Sequence, residues 1–321
     1  MAEGDVMAVE ARSRSIDIGV CTFRRPELAD TLRSLAALAV PDGFEVGVIV
    51  ADNDDMPSAR ELVTVLSQEL KLPVRYRHCP ARNISIARNA CLDASEADFL
   101  AFIDDDETAT AHWLAELVAA AETSGAAAVL GPVRALYRPD APDWMRRGDF
   151  HSTLPVRVRG EIRTGYTCNV LLRMGSDSLR GRRFSLARGQ TGGEDTEFFD
   201  QMHKAGGRIA FAPEAWVDEA VPRARAAFDW LSRRRFRVGQ THGHLLGRNA
   251  SGIARAKQAG LAAAKAAYCF AAALPVAASP IRRNRSVLRG IMHVGVVSGL
   301  VGVRELRLYG QPAGEGGKRA A

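Results

Sequence analysis

Four short apolar runs, at residues 16–21, 45–51, 74–78 and 99–103, alternate with helix-like stretches after Pro26, after Pro57 and after Ile84. Strands separated by helices of ten or so residues predict a doubly wound α/β domain, a mostly parallel central sheet with helices on both faces. Ligands of such sheets lie beyond the carboxyl ends of the strands, so the residues that follow each run are the first candidates for a site. They are Thr22 and Arg24, then Asp52 and Asn53, then Arg82 and Asn83, then Asp104, Asp105 and Asp106. No Gly-x-Gly-x-x-Gly follows the first run and no Gly-Lys-Ser/Thr loop occurs, which excludes the usual dinucleotide and P-loop phosphate cradles.

The second part of the chain has an apolar stretch at 168–172, a helical one at 195–203 and a strand-like one at 208–212. No Pro, Gly or Ser tract separates it from the first, so both are expected in one domain. The expected organisation is a flexible tail at 1–15 without the apolar core of a signal peptide, a domain at 16–245 divided into a nucleotide-binding half (16–133) and an acceptor half (134–245), a basic and apolar helical segment at 246–310, and a flexible tail at 311–321. The five cysteines form no Cys-x-x-Cys pair, so neither a zinc cluster nor a disulfide framework is expected and a reducing cytosol fits.

Two acidic motifs carry chemistry. The run Ile103-Asp104-Asp105-Asp106-Glu107 puts four carboxylates directly after a buried strand, where like charges call for a cation between them. Oxygen ligands of this kind suit Mg²⁺ or Mn²⁺, which commonly bind diphosphate oxygens through one or two protein carboxylates. A solvated acidic turn capping a helix near Thr110 would read the same way. The second motif, Gly192-Gly193-Glu194-Asp195-Thr196-Glu197, sets Glu194 and Asp195 at the start of an amphipathic helix, where the macrodipole keeps a carboxylate ionised and able to take a proton from a hydroxyl. Simple decoration of a first helical turn is the alternative.

Over residues 16–239 the chain resembles glycosyltransferase family 2, the inverting enzymes with a GT-A fold. The resemblance is carried by Cys-Thr-Phe-Arg-Arg-Pro at 21–26, Val-Ala-Asp-Asn at 50–53, Asn83 with Ala-Arg-Asn at 87–89, Ile-Asp-Asp-Asp at 103–106 and Gly-Glu-Asp at 193–195. The run Thr-Gly-Gly-Glu-Asp-Thr-Glu-Phe-Phe at 191–199 resembles the bacterial exopolysaccharide, succinoglycan-type, branch. The resemblance implies that Thr22 and Asp52 contact the nucleoside, that Arg88 lies near the base or diphosphate, that Asp104 lies near the ribose and Asp106 on the metal, and that Asp195 is the catalytic base. Asp105 shares the motif, and Ser85 stands where many relatives have Gly. Arg233-Arg234-Arg235-Phe236-Arg237 occupies the place where processive relatives carry Gln-x-x-Arg-Trp. Without the Gln and Trp, transfer of a single sugar is expected, with Arg234 or Arg235 neutralising the leaving diphosphate. Asn169 matches a position near the donor sugar or acceptor, and also reads as a strand-end residue satisfying its own backbone. His242 is a candidate additional metal ligand, and His244 lies beside it; each also reads as a packed histidine.

From 222 to 310 sixteen Lys and Arg face two acids, Asp229 and Glu305, which leaves the rest of the chain net acidic. Apolar runs at 258–280 and 291–303 flank the cluster Arg282, Arg283, Arg285 and Arg289. Neither run is a convincing span, since crossing a bilayer takes about 20 apolar residues. Two helices lying at the interface, arginines toward acidic headgroups, account for both charge and apolarity, and a helical hairpin packed on the domain is the alternative. The expected activity is therefore a metal-dependent, inverting hexosyl transfer from a nucleotide-diphospho-sugar, a UDP-sugar, to a glycan or lipid-linked saccharide at the inner face of the membrane, in the making of a surface glycan. Nucleotidyl transfer and a non-catalytic nucleotide-sugar scaffold are the competing readings. No aromatic platform accompanies the arginines, so no nucleic-acid partner is expected.

Overall fold

The computed structural model describes residues 14–248 and 250–304, so residues 1–13 of the tail expected at 1–15, residues 305–310 of the segment expected at 246–310 and the tail expected at 311–321 lie outside the described residues. The chain runs through β1 (Arg14–Thr22), α1 (Leu28–Ala36), β2 (Phe44–Asp52), α2 (Arg60–Glu69), β3 (Val74–His78), α3 (Ile84–Ala94), β4 (Phe99–Asp104), β5 (Glu107–Ala109), α4 (Trp113–Ser124), β6 (Ala128–Leu130) and β7 (Val133–Tyr137). It continues through α5 (Asp143–Gly148), a hairpin of β8 (Arg157–Val158) and β9 (Glu161–Ile162), β10 (Asn169–Arg173), a 3₁₀ turn (Leu186–Arg188), α6 (Glu194–Lys204), β11 (Ile209–Phe211) and β12 (Val217–Val221). Three helices, α7 (Phe228–Gly247), α8 (Gly252–Ala273) and α9 (Pro280–Leu300), close the described chain. Arg14 and Ser15, expected in the tail, are instead strand. They pair with Phe44 and Glu45, Arg14 forms an ion pair with Glu122, and the Ser15 amide donates to Asp98.

The main sheet has the order β11-β6-β10-β4-β1-β2-β3, and β3, β2, β1 and β4 are parallel as the alternation of runs and helices predicts. β10 is antiparallel to both β4 and β6. A second sheet, β5-β12-β7, stands beside the end of β4. Side chains alternate across the main sheet as period two demands. Ile18, Val20, Val48, Val50, Ala101 and Ile103 meet α1, α2 and α4 on one face, while Ile49, Ala51, Leu100 and Phe102 meet α3 and α6 on the other. Both faces are therefore dry, and polar groups are driven to the strand ends.

The basic cluster at 282–289 forms the first turns of α9, continuous with the apolar stretch that follows. α7 and α9 cross at glycines. A Cβ on Gly295 would lie 2.1 Å from the Phe236 carbonyl oxygen, and one on Gly239 would lie 2.0 Å from that of Met292. Gly295→Val must push the two backbones apart, and is expected to cost about 1–3 kcal/mol. Gly260→Val on α8 meets nothing within 4 Å and serves as the control. Equal melting temperatures for the two variants would contradict the close crossing. Among the described residues, no helix is long and apolar enough to cross a membrane.

Candidate active site

Strand register brings the expected residues to one edge. Thr22 lies opposite Asp52, Cys21 opposite Asp104, and Asp52 opposite His78, so the ends of β1, β2, β3 and β4 open on one crevice. After Asp104 the chain turns back at once as β5, and the three aspartates fan out. The Asp104 side chain, 44% exposed, faces the crevice. Asp105 is buried beneath it, near the Thr22 hydroxyl and accepting from the Phe23 amide at 3.4 Å. Asp106 Oδ2 sits between two guanidiniums, Arg25 Nη1 at 3.4 Å and Arg225 Nη2 at 3.6 Å. Glu107, fully buried, accepts the Asp104 amide at 3.0 Å and so fixes the turn.

From the other side comes α6. Its cap is Gly193, with φ at +87°, where a Cβ would lie 2.4 Å from Thr241 Cγ2. Only glycine fits this left-handed position against α7. The diglycine thus starts α6 so that Glu194 and Asp195 occupy its first turn, at the positive end of the macrodipole. Glu194 is buried and accepts from Arg88 Nη1, while Arg88 Nη2 lies 3.9 Å from Asp104 Oδ1. Arg88 is itself buried on α3, its guanidinium 5.7 Å from the Phe184 ring centroid, and its carboxylate neighbours hold it charged. One arginine therefore ties the end of β4 to the start of α6. Asp195 is half-buried and accepts from the Thr196 amide at 2.6 Å. Its charge is felt by Asp104, Glu194 and Arg88.

Negative charge accumulates here. Although 44% of its side chain reaches solvent, the protein packed around Asp104, with the charges of Asp106, Glu219 and Asp195, raises it to about 6 against the pull of Arg88. Burial raises Asp105 to about 7, with Asp106 adding to the rise and Thr22 and Arg25 opposing it. Glu107 is pushed well up by burial and by Asp104. An acid whose native pKa exceeds its unfolded value binds more protons folded than unfolded, so its contribution to stability falls as pH rises between the two values. For Asp105 that window runs from 3.8 to about 7. Asp105→Asn removes the penalty, and its stability advantage over the parent in urea denaturation should grow from about pH 4 to about pH 7 and then level off. An advantage independent of pH would contradict this.

The donor set suits a divalent cation. Oxygens of Asp104 and Glu107 and the Cys168 sulfur lie within 4.8 Å of one another, and Asp106 and Glu219 add carboxylates at the same edge. Carboxylate oxygens outnumber every other ligand type there, which favours Mg²⁺ or Mn²⁺ over a thiophilic ion.

Several expected positions are displaced. Asp52 is fully buried: Oδ1 accepts from the Asp54 amide at 3.1 Å, and Oδ2 from the Ala59 amide at 2.9 Å and the Tyr76 hydroxyl at 2.6 Å. It organises the loop after β2. Asn53 does likewise, accepting the Asn83 amide at 3.0 Å. Arg24 grips Asp54 with two bonds of 2.8 Å, which holds the Asp54 carboxyl down at about 2. Asn169 is wholly committed inside the protein, accepting from Trp113 Nε1 at 2.8 Å and donating to the carbonyls of Pro132 at 2.9 Å and Ala215 at 2.7 Å. The arginines of α7 splay with the helical period. Arg234 stacks on Trp230 at 5.2 Å and its charge reaches Glu219, whereas Arg235 is desolvated beside Arg234 and Arg289. His242 has Asp200, Lys265 and His293 as its titratable neighbours, so α7 directs it toward α6, α8 and α9 and not toward Asp104 and Asp106. His244 Nδ1 pairs with the Gln240 carbonyl at 2.9 Å within the helix. Sequence reading named Glu107 among the four carboxylates without giving it a role of its own, and passed over Arg25, Glu219 and Arg225. Arg25 stands inside a quoted motif, but Glu219 and Arg225 arrive from β12 and its following loop, over a hundred residues from Asp106.

The family model for glycosyl transferase family 2 matches residues 17–187. The chain is 61% identical over 295 residues to the succinoglycan biosynthesis protein ExoM of Rhizobium meliloti, a match covering 92% of this chain and 96% of that one. It is 25% identical over 248 residues to the glucosyl-dolichyl phosphate glucuronosyltransferase of Haloferax volcanii, covering 70% of this chain and 75% of that one. Among solved structures, the mannosyltransferase PcManGT of Pyrobaculum calidifontis, in complex with GDP-Man and Mn²⁺, superposes with a TM-score of 0.60 at 19% identity, covering 91% of this chain and 88% of that one. The last likeness is one of fold.

Proposed function

The chain belongs to glycosyl transferase family 2, and from that premise we propose that it transfers a single sugar from a UDP-sugar to an acceptor hydroxyl, with inversion, in the assembly of a bacterial surface polysaccharide. The observation that carries this reading is the Arg88 tether, which sets Asp195 in the same group of charges as Asp104. Asp195 takes the proton of the acceptor hydroxyl as that oxygen attacks the anomeric carbon from the face opposite the leaving diphosphate. Direct displacement of this kind inverts the anomeric centre and needs one carboxylate base. Glu194, engaged by Arg88, positions the first turn of α6. Thr22 and the loop set by Asp52, Asn53 and Arg24 line the nucleoside side, and Asp104 faces the ribose. Asp106, with Asp104, would hold Mn²⁺ or Mg²⁺, which when bound supplies positive charge to the diphosphate.

For the acceptor, a lipid-linked saccharide fits the C-terminal helices. The outer face of α8 exposes Ile253, Leu261 and Tyr268 around Lys257, Leu274 is exposed just past its end, and residues 230–304 hold no acidic residue. An apolar face with positive charge beside it suits the surface of an anionic bilayer and supports a peripheral enzyme that acts at the cytoplasmic face. The test is incubation with UDP-sugars, Mn²⁺ and lipid-linked oligosaccharide, followed by NMR of the products. UDP release with an inverted anomeric configuration supports the reading. Retention of configuration, or release of pyrophosphate as in nucleotidyl transfer, refutes it.

A further inference from the structure

Resting on the nucleotide-sugar reading above, we infer that Arg225 couples cation binding to diphosphate binding by exchanging Asp106 for the diphosphate. Its guanidinium spans two carboxylates: Nη1 donates to Glu219 Oε1 at 2.7 Å, and Nη2 lies 3.6 Å from Asp106 Oδ2. Glu219 is on β12 opposite Glu107 on β5, so the small sheet itself sets it beside the end of β4. The backbone of Arg225 is anchored. Its amide donates to the Pro222 carbonyl at 2.8 Å, and its own carbonyl pairs with His151 Nε2 at 3.0 Å. The head group lies 5.8 Å from the Trp230 ring centroid. Side chains of Asp106, Glu219 and Arg225 are 15%, 18% and 22% exposed, so water does little to screen their charges.

A divalent cation on Asp106 Oδ2 must displace the two guanidiniums that share that oxygen, Arg25 and Arg225. Of the two contacts Arg225 makes, the long one goes to Asp106 and the short one to Glu219. Glu219 therefore serves as the pivot, holding Nη1 while Nη2 turns away. The freed end needs an anion in a poorly hydrated place, and its planar fork matches phosphate oxygens. Arg25, the other partner of Asp106 Oδ2, retains Asp105 at 3.9 Å as a second partner. The diphosphate role expected of Arg234 or Arg235 is assigned to Arg225 because it is the one of the three paired with Asp106; Arg234 reaches Glu219 by charge and shares the Trp230 ring, and Arg235 lies beside Arg289. A cation arriving alone evicts Arg225 from Asp106 and gives it nothing in return. Cation and nucleoside diphosphate arriving together satisfy both, which is positive coupling and must be reciprocal.

The test reads free Mn²⁺ by electron paramagnetic resonance and UDP by equilibrium dialysis, in the parent and in Arg225→Gln. The expected result is opposite signs: Mn²⁺ alone binds about tenfold tighter to the variant, while UDP at saturating Mn²⁺ binds about tenfold weaker. Arg225→Lys keeps the charge without the fork and should fall between parent and Gln variant in both titrations, which guards against a folding defect in the latter. A parent that binds UDP with Mn²⁺, beside variants in which both affinities fall together or neither changes, overturns the exchange but spares the site. A parent that binds neither ligand overturns both.

Discussion

Asp195→Asn is expected to lower kcat by about 10²- to 10⁴-fold while leaving the affinity for the nucleoside diphosphate within about twofold. The amide keeps the size of the carboxylate and can still accept from the Thr196 amide, so the first turn of α6 stays in place. What it loses is the capacity to take a proton from the acceptor. A carboxylate acting as base is missed only in the step in which the hydroxyl attacks, which is why the loss falls on turnover and not on donor binding. Glu194 makes the contrast. It is buried and engaged by Arg88, and Glu194→Gln should disturb the Arg88 tether and hence both stability and turnover. Turnover of Asp195→Asn near that of the parent would remove Asp195 from the mechanism.

Arg88→Met is expected to destabilise the fold by about 3–5 kcal/mol in urea denaturation, because it strands the buried Glu194 carboxylate without its counter-charge. Asp104 adds less to that loss, since nearly half of its side chain reaches solvent. The double variant Arg88→Met with Glu194→Leu removes the charge together with its partner and should recover most of the stability. It should not recover turnover, since Arg88 also sets the spacing between the end of β4 and Asp195. An Arg88→Met protein within about 1 kcal/mol of the parent would contradict the tether.

The parallel half of the fold was legible because short apolar runs separated by helix-like stretches point to a parallel sheet covered on both faces, and β1 to β4 lie where those runs predict. The second sheet was not. β5 has only three residues and β12 pairs with it from more than a hundred residues away, a relation that no local pattern encodes. The same distance hid Glu219 and Arg225, whose role depends on Asp106. Asp52 and Asn169 show the converse: a strand-end polar residue can face a ligand or knit the protein together, and the choice depends on partners such as Tyr76 and Trp113 supplied by other elements. On α7, sequence identified a basic cluster but not its directions, which follow from 100° per residue once α9 and β12 are in place. His242 was misdirected for that reason.

On the proposed function, the crevice at the ends of β1 to β4 takes a nucleoside diphosphate on a divalent cation. Calorimetric titration of UDP, with GDP and dTDP as comparators, in the presence and absence of Mn²⁺, tests it most directly. UDP binding that requires Mn²⁺, exceeds that of the other two nucleotides and disappears in Asp106→Asn is the result this account predicts; heat from none of the three nucleotides under either condition would contradict it.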